Sequence, residues 1–227
     1  MRIASYNIRK AVGLDWRRDA DRIADVLAEI NADVVVLQEA DRRVGARAGV
    51  LPLDRLAKEL DYELVDLAIR PQSHGWHGNA MLCRADTAIA ETKRIDIPTI
   101  EPRGIVSAVL SDPLLEIIGV HLGLTPGMRR KQMMSLARYI TGTCHPVVIA
   151  GDFNEWKLET DVFGNIGHMI SPGPSFHASR PRAPLDRFVV AGPIKPLNSK
   201  VHKSELARIA SDHLPIVMEI AFTKDTP

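Results

Sequence analysis

The sequence predicts an α/β fold, a sandwich of mixed β-sheets with helices outside, and three observations carry that prediction. A chain of 227 residues with 45% apolar content can bury a large core within one domain, residues 1–227. Eight short runs rich in Val and Ile show little strict alternation, as strands covered on both faces do. Two of those runs, Gly104 to Ser111 and Leu114 to His121, are joined only by "DP". So short a link requires antiparallel neighbours and disfavours a purely parallel sheet.

The elements follow in chain order. "RIASYNI" opens the chain as a strand. From Arg17 to Asn31, Ala20, Ile23, Ala24, Leu27 and Ile30 recur at three and four, with Asp19, Arg22, Asp25 and Glu29 between them, which predicts an amphipathic helix. "DVVVLQE" reads as the second strand, Leu53 to Leu60 as a shorter helix and "GNAMLCR" as the third strand. "GIVSAVL", "LLEIIGVHL" and "PVVIAGDF" are further strands. Between the last two, a helix starts at Pro126 with Thr125 as N-cap and buries Met133, Leu136, Ala137 and Ile140. "LDRFVVAG" and "PIVMEIAF" complete the set. Pro- and Gly-rich stretches at Arg70 to Gly78, Ile97 to Gly104 and Ser171 to Pro184 read as long loops, which in a compact domain often carry function.

Bulk charge excludes a strong overall field: 29 basic against 28 acidic residues leave +1, so any surface for a polyanion must be local. Two cysteines without ligand spacing, Cys83 and Cys144, fit a reducing compartment. Charges interrupt the apolar run of "MRIASYNIRK", so no signal segment is expected, and no stretch is long enough to be a transmembrane segment. A cytoplasmic location is the expectation. Nothing points to an obligate protein partner.

Several strands end in residues that bind metal or phosphate or move protons. Asn7 follows "RIASY", Glu39 follows "VVVLQ", His121 follows "EIIGV", and Asp152 and Asn154 follow "VVIAG"; Asp186 opens "DRFVV", and Asp212 and His213 precede the last strand. Each alone has a structural explanation as a turn, cap or solvated residue. In a sandwich, however, strand ends on one rim converge. Carboxylates with amide oxygens suit Mg²⁺ or Mn²⁺, and two histidines with a spare carboxylate suit acid–base work on a phosphate ester. His74 and His77 of "HGWH" have no third ligand for zinc and read as loop or rim residues. The chain has no G-x-S-x-G elbow, Walker A loop or dinucleotide fingerprint.

In this combination the sequence resembles the endonuclease/exonuclease/phosphatase superfamily. The resemblance rests on "SYNIR", "LQE", "HGNAMLCR", "GVHLG", "GDFN", "LDRFVV" and "SDHLPI", in the family's order from Ser5 to Ile216. It implies a four-layer α/β/β/α sandwich of two mixed β-sheets flanked by helices, and a phosphoester hydrolase dependent on Mg²⁺ or Mn²⁺. Under it, Glu39 is the chief metal ligand, with Asn7 and Asp212 adjoining the ion directly or through water. Asp152 orients or deprotonates the attacking water, Asn154 holds a phosphate oxygen, and His213, steadied by Asp186, contacts the phosphate. His121 is similar to a histidine of the deoxyribonuclease branch and would protonate the leaving oxygen. Asn79 would orient phosphate or a neighbouring histidine, and Arg103 would clamp phosphate.

Three substrate readings follow. The leading one is a phosphodiesterase or nuclease; the others are a phosphomonoesterase on a small metabolite or lipid head group and a non-catalytic nucleic-acid-binding regulator. The "LGLTPGM" after His121 departs from the abasic-site repair enzymes. Arg42, Arg43 and Arg47, then Arg129 to Lys131, then Arg180 and Arg182 lie beside expected site residues. They either form a cationic mouth for nucleic acid or a phospholipid head group, or are ordinary solvated arginines. Trp16, Trp76 and Trp156 fall in loops near the motifs, where they stack a base or pack a loop.

Overall fold

The structure is a computed structural model that describes residues 1–157 and 162–223. Its twelve strands are β1 (Arg2–Asn7), β2 (Val34–Gln38), β3 (Tyr62–Leu64), β4 (Ala80–Arg84), β5 (Ile89–Ile95), β6 (Ile105–Ser111), β7 (Leu114–His121), β8 (Val147–Asp152), β9 (His168–Ile170), β10 (Asp186–Ala191), β11 (Ile194–Val201) and β12 (Ile216–Phe222). The helices are α1 (Ala20–Ile30), α2 (Leu53–Leu60), α3 (Pro126–Thr141) and the single turn α4 (Ala207–Ala210). Two six-stranded sheets result, ordered β11-β12-β1-β2-β4-β3 and β5-β6-β7-β8-β10-β9. Each is mixed: β1 with β2 and β7 with β8 run parallel, and the remaining pairs are antiparallel, including β6 with β7 across the "DP" link.

Packing explains why the central strands do not alternate. Ile3, Val34, Val36 and Met81 of the first sheet meet Val106, Ile117, Val148 and Phe188 of the second in a dry interleaf. The opposite face of the first sheet, with Ala4, Tyr6, Val35 and Leu37, is covered by Ile23, Leu27 and Ile30 of α1 and Leu56 of α2. The outer face of the second, with Ile118, Val120, Ile149 and Val189, is covered by Met133, Leu136 and Ile140 of α3. Each of the Val, Leu, Ile, Met and Phe side chains contributes about 1.5–3 kcal/mol on burial. Gly119 of β7 is tightly enclosed in the interleaf: a Cβ there would lie 2.8 Å from Val36 Cγ1 of the opposite sheet and 2.9 Å from Val106 Cγ2.

Some boundaries and edges differ from the expectation. The first helix begins at Ala20, not Arg17, because the Asp19 carboxylate accepts the Arg22 backbone N–H at 3.0 Å and caps it. Thr125 stands at the N-cap of α3 with Pro126 at the first helical position, but its hydroxyl makes no capping bond. Strands β3, β5, β9 and β11 fall in stretches not read as strands. All four are sheet edges, and "IAETKRI" and "IKPLNSKV" bury few side chains, so they lack the apolar signature that marks a strand in sequence.

Register then places the polar strand ends. His121 pairs with Asp152 across β7 and β8, and Asp152 pairs with Asp186 across β8 and β10, so three strands present one row. In the first sheet, Asn7 pairs with Gln38, directly before Glu39. Gly151 permits the close approach of β8 to β7, since a Cβ there would sit 2.0 Å from the Val120 carbonyl oxygen, and its φ of 156° disfavours any side chain.

Candidate active site

Asp152 is the hub. Its side chain is buried. Oδ2 accepts a hydrogen bond from Asn7 Nδ2 at 3.1 Å and lies 3.4 Å from His121 Nε2 and 3.7 Å from His213 Nε2. Oδ1 accepts the Asn154 backbone N–H at 2.8 Å. That bond closes a tight turn in which Asn154 takes φ 51°, a conformation asparagine tolerates better than most residues, and its Nδ2 donates to the Leu122 carbonyl at 2.9 Å. The buried β8 fixes the backbone of Asp152, and the Asn154 turn fixes its carboxylate.

The two imidazoles differ in their second partner. Desolvation holds His121 neutral, down to about 3, with Asp152 only partly opposing it. His213 is buried too, and burial disfavours its charge. There, however, Asp186 and Asp152 together outweigh desolvation and raise it to about 9. His213 Nδ1 lies 2.8 Å from Asp186 Oδ2, which also accepts the Ser175 hydroxyl at 2.5 Å. Asp186 is fully buried, and its Oδ1 has no hydrogen-bond partner among the described residues. Ser175 lies in the Ser171 to Pro184 loop and carries no sequence signal of this contact. Ser211, adjacent to Asp212, donates to the Asn7 carbonyl at 2.7 Å and ties the last motif to the first strand.

The carboxylates expected to hold metal face the other wall, each with a basic neighbour from one turn. Arg9, Lys10 and Ala11 all have positive φ, as does Glu39. That turn lets the Lys10 N–H donate to the Glu39 carbonyl at 3.0 Å, while the Lys10 ammonium pairs with the Glu39 carboxylate. Burial lowers the Lys10 pKa, although Asp212 opposes the shift. Arg9 Nε lies 3.5 Å from Asp212 Oδ2, and the Arg9 N–H donates to Asn7 Oδ1 at 3.1 Å. Asn7, Glu39 and Asp212 offer oxygen donors only, a set that fits a hard divalent ion. Asp152, Asp186 and His213 also bring ligand atoms within 4.8 Å of one another, but His213 Nδ1 and Asp186 Oδ2 already bond each other.

A cavity of about 350 Å³ joins the walls. Asn7, Glu39, Arg103, His121, Asp152, Asn154 and His213 all line it. Asp186 and Asp212 are outside the lining: Asp186 stands behind His213, and Asp212 pairs with Arg9, whose backbone N–H donates to Asn7 of the lining. Asn79 is outside the lining: its buried amide donates to the Gly104 carbonyl, beside Arg103, so it braces the loop that carries that guanidinium. Among the basic clusters, Arg42, Arg43 and Arg47 line the cavity. Arg129 does not; it is buried against Glu155 at 3.3 Å and donates to the Leu124 carbonyl at 2.5 Å. Arg180 and Arg182 are also outside the lining. Trp76 packs against the interleaf core. His74 accepts the Leu51 N–H at 3.0 Å, whereas His77 reaches the cavity and lies 3.1 Å from Arg47 through Nδ1.

Two mixed six-stranded sheets with helices outside are an architecture shared with phosphoester-hydrolysing proteins. This chain belongs to the Endonuclease/Exonuclease/phosphatase family, whose model matches residues 4–213. It is 27% identical over 254 residues to YbhP of Escherichia coli K12, a protein described as uncharacterized, with 96% of this chain and 95% of YbhP covered. The mannosyl-6-phosphatase Bt3783 of Bacteroides thetaiotaomicron superposes with a TM-score of 0.74 at 18% identity, covering 98% of this chain and all of that one. TDP2 of D. rerio, solved with a single-strand DNA product, gives 0.72 at 20% identity, covering 97% of this chain and 98% of that one. Enzymes of this family use divalent metals.

Proposed function

We propose that this chain is a Mg²⁺- or Mn²⁺-dependent phosphoester hydrolase acting on phosphodiesters, and that residues 1–227 work as one domain. The observation that carries the reading is the hub geometry of Asp152: one buried carboxylate held by Asn7 and Asn154 and flanked by two imidazoles of opposite protonation. Bound at Glu39, Asn7 and Asp212, the metal would offset negative charge on the phosphoryl oxygens. Asp152 orients an attacking water and takes its proton. Asn154 faces the cavity to hold a phosphate oxygen, and Arg103 approaches the same group from the opposite loop. His213, kept protonated by Asp186, donates to the phosphate as negative charge builds. His121, held neutral by burial, suits a hydrogen-bonding role beside Asp152 better than donation of a proton to the leaving oxygen. Cys83 and Cys144 are both unpaired, which supports a cytoplasmic setting.

The test is hydrolysis of bis(p-nitrophenyl) phosphate, with and without Mg²⁺ or Mn²⁺, beside the monoester p-nitrophenyl phosphate. Metal-dependent turnover of the diester is expected. Faster turnover of the monoester would replace the substrate class, and no turnover of either by folded protein would leave the fold as a binding module. Asp152→Asn should cost at least about two orders of magnitude in kcat without changing the melting temperature appreciably; a wild-type rate would remove Asp152 from the chemistry.

A further inference from the structure

Large apolar side chains exposed to solvent usually lie scattered. Here the most exposed ones do not. Among the described residues the five greatest exposures are Val44 at 84%, Ile100 at 81%, Trp16 at 78%, Trp156 at 63% and Leu124 at 61%. They come from five separate loops, and every one of those loops carries a residue of the cavity or a contact to it. Val44 follows Arg42 and Arg43, Ile100 precedes Glu101 to Arg103, and Leu124 lines the cavity itself. Trp156 stands two residues after Asn154, with its ring 6.4 Å from Phe176, which lies 4.9 Å from His213. The Arg9 guanidinium, paired with Asp212, lies 4.6 Å over the Trp16 ring.

Basic residues collar three of these tips. Exposed Arg42 and Arg43 adjoin Val44, exposed Arg17 and Arg18 follow Trp16, and exposed Lys157 follows Trp156. Neither Arg42 nor Arg43 makes an ion pair among the described residues. An apolar tip with a basic collar is the chemistry of an interfacial contact: the tip enters the acyl boundary while the cation stays among anionic head groups. Single-stranded nucleic acid asks for something different, aromatic faces on which bases stack. Val44, Ile100 and Leu124 offer no such face.

We infer that this rim docks on the surface of an anionic bilayer, so that the phosphate ester entering the cavity is borne by a lipid. This deepens the phosphoesterase reading and rests on it for the substrate, but docking itself requires no turnover. The tips all lie on loops, and no described helix is long and apolar enough to cross a membrane.

The test is co-sedimentation of the full chain with vesicles of phosphatidylcholine alone and of phosphatidylcholine mixed with an equal amount of phosphatidylglycerol. Binding to the anionic vesicles is expected, and V44S/I100S should weaken it at least about tenfold, since two apolar tips are removed. Both positions are exposed, and circular dichroism with a melting curve checks that the variant folds. Absence of binding to either vesicle would overturn the inference, as would equal binding by wild type and variant, which would reduce the contact to charge alone. A labelled single-stranded oligonucleotide bound in place of vesicles, with affinity lost in V44S/I100S, would overturn it in favour of nucleic acid. Failure of bis(p-nitrophenyl) phosphate hydrolysis with vesicle binding retained would instead strike the catalytic reading.

Discussion

At the scale of single residues, the structure adds a competition at Glu39. The Lys10 ammonium occupies the carboxylate that the family resemblance assigns to the metal, so ion binding there would be an exchange of one cation for another. Lys10→Met should therefore tighten Mn²⁺ binding to the metal-free protein about two- to fivefold, the scale of a partly exposed charge pair, as read by titration calorimetry. Unchanged or weaker binding would show that the ammonium does not compete. Glu39→Gln should weaken the same titration. The convergence of Asn7, Glu39, Asp152 and His213 on one cavity was legible because each ends or adjoins an apolar run and is of a type with chemistry to offer. Lys10 was not, since its reach depends on three successive positive φ angles with no glycine or asparagine to announce them. Ser175 was invisible for a different reason: a serine in a Pro-rich loop gives no hint that it bonds a carboxylate eleven residues away.

Elements set how tightly those residues can be held. The row His121, Asp152, Asp186 exists because β7, β8 and β10 pair in one register, and at Gly151 of β8 a side chain would run into the Val120 carbonyl of β7. Gly151→Ala must move the Val120 carbonyl or bend β8. It should cost roughly 1–3 kcal/mol in urea unfolding and lower activity further, because the displaced backbone is that of Asp152. A wild-type unfolding midpoint would show that β8 has slack there. Strands buried on both faces were readable from their Val and Ile content, as "VVVLQ" of β2 and "VVIAGD" of β8 illustrate. The edge strand β5 was not, because its side chains are mostly exposed and its pairing with β6 is a backbone affair that leaves little trace in residue type.

Over the whole molecule, the two histidines make stability depend on pH in opposite directions. His213 is raised to about 9 in the folded state against an ordinary 6.5, so its contribution is full below 6.5 and is lost as pH rises through 9. His121 is lowered to about 3, so the unfolded chain gains a proton first and stability falls as pH drops from 6.5 towards 3. The melting temperature of the metal-free protein should peak near pH 6.5. H213N should flatten the alkaline limb and H121N the acid limb; limbs unaltered by both would mean that other groups govern the profile. Long-range assembly of this kind is the least legible part of a sequence, since nothing in "GVHLG" or "SDHLPI" states which imidazole has a second carboxylate behind it. The tight contact at Gly119 carries one last implication. Asn7 ends a strand of one sheet with Glu39 just past the neighbouring strand, and His121 and Asp152 end strands of the other, so a shift of β7 against Val36 at Gly119 would be felt across the cavity. A single methyl at that hidden contact would act as a wedge, parting the two walls of the cavity while touching neither.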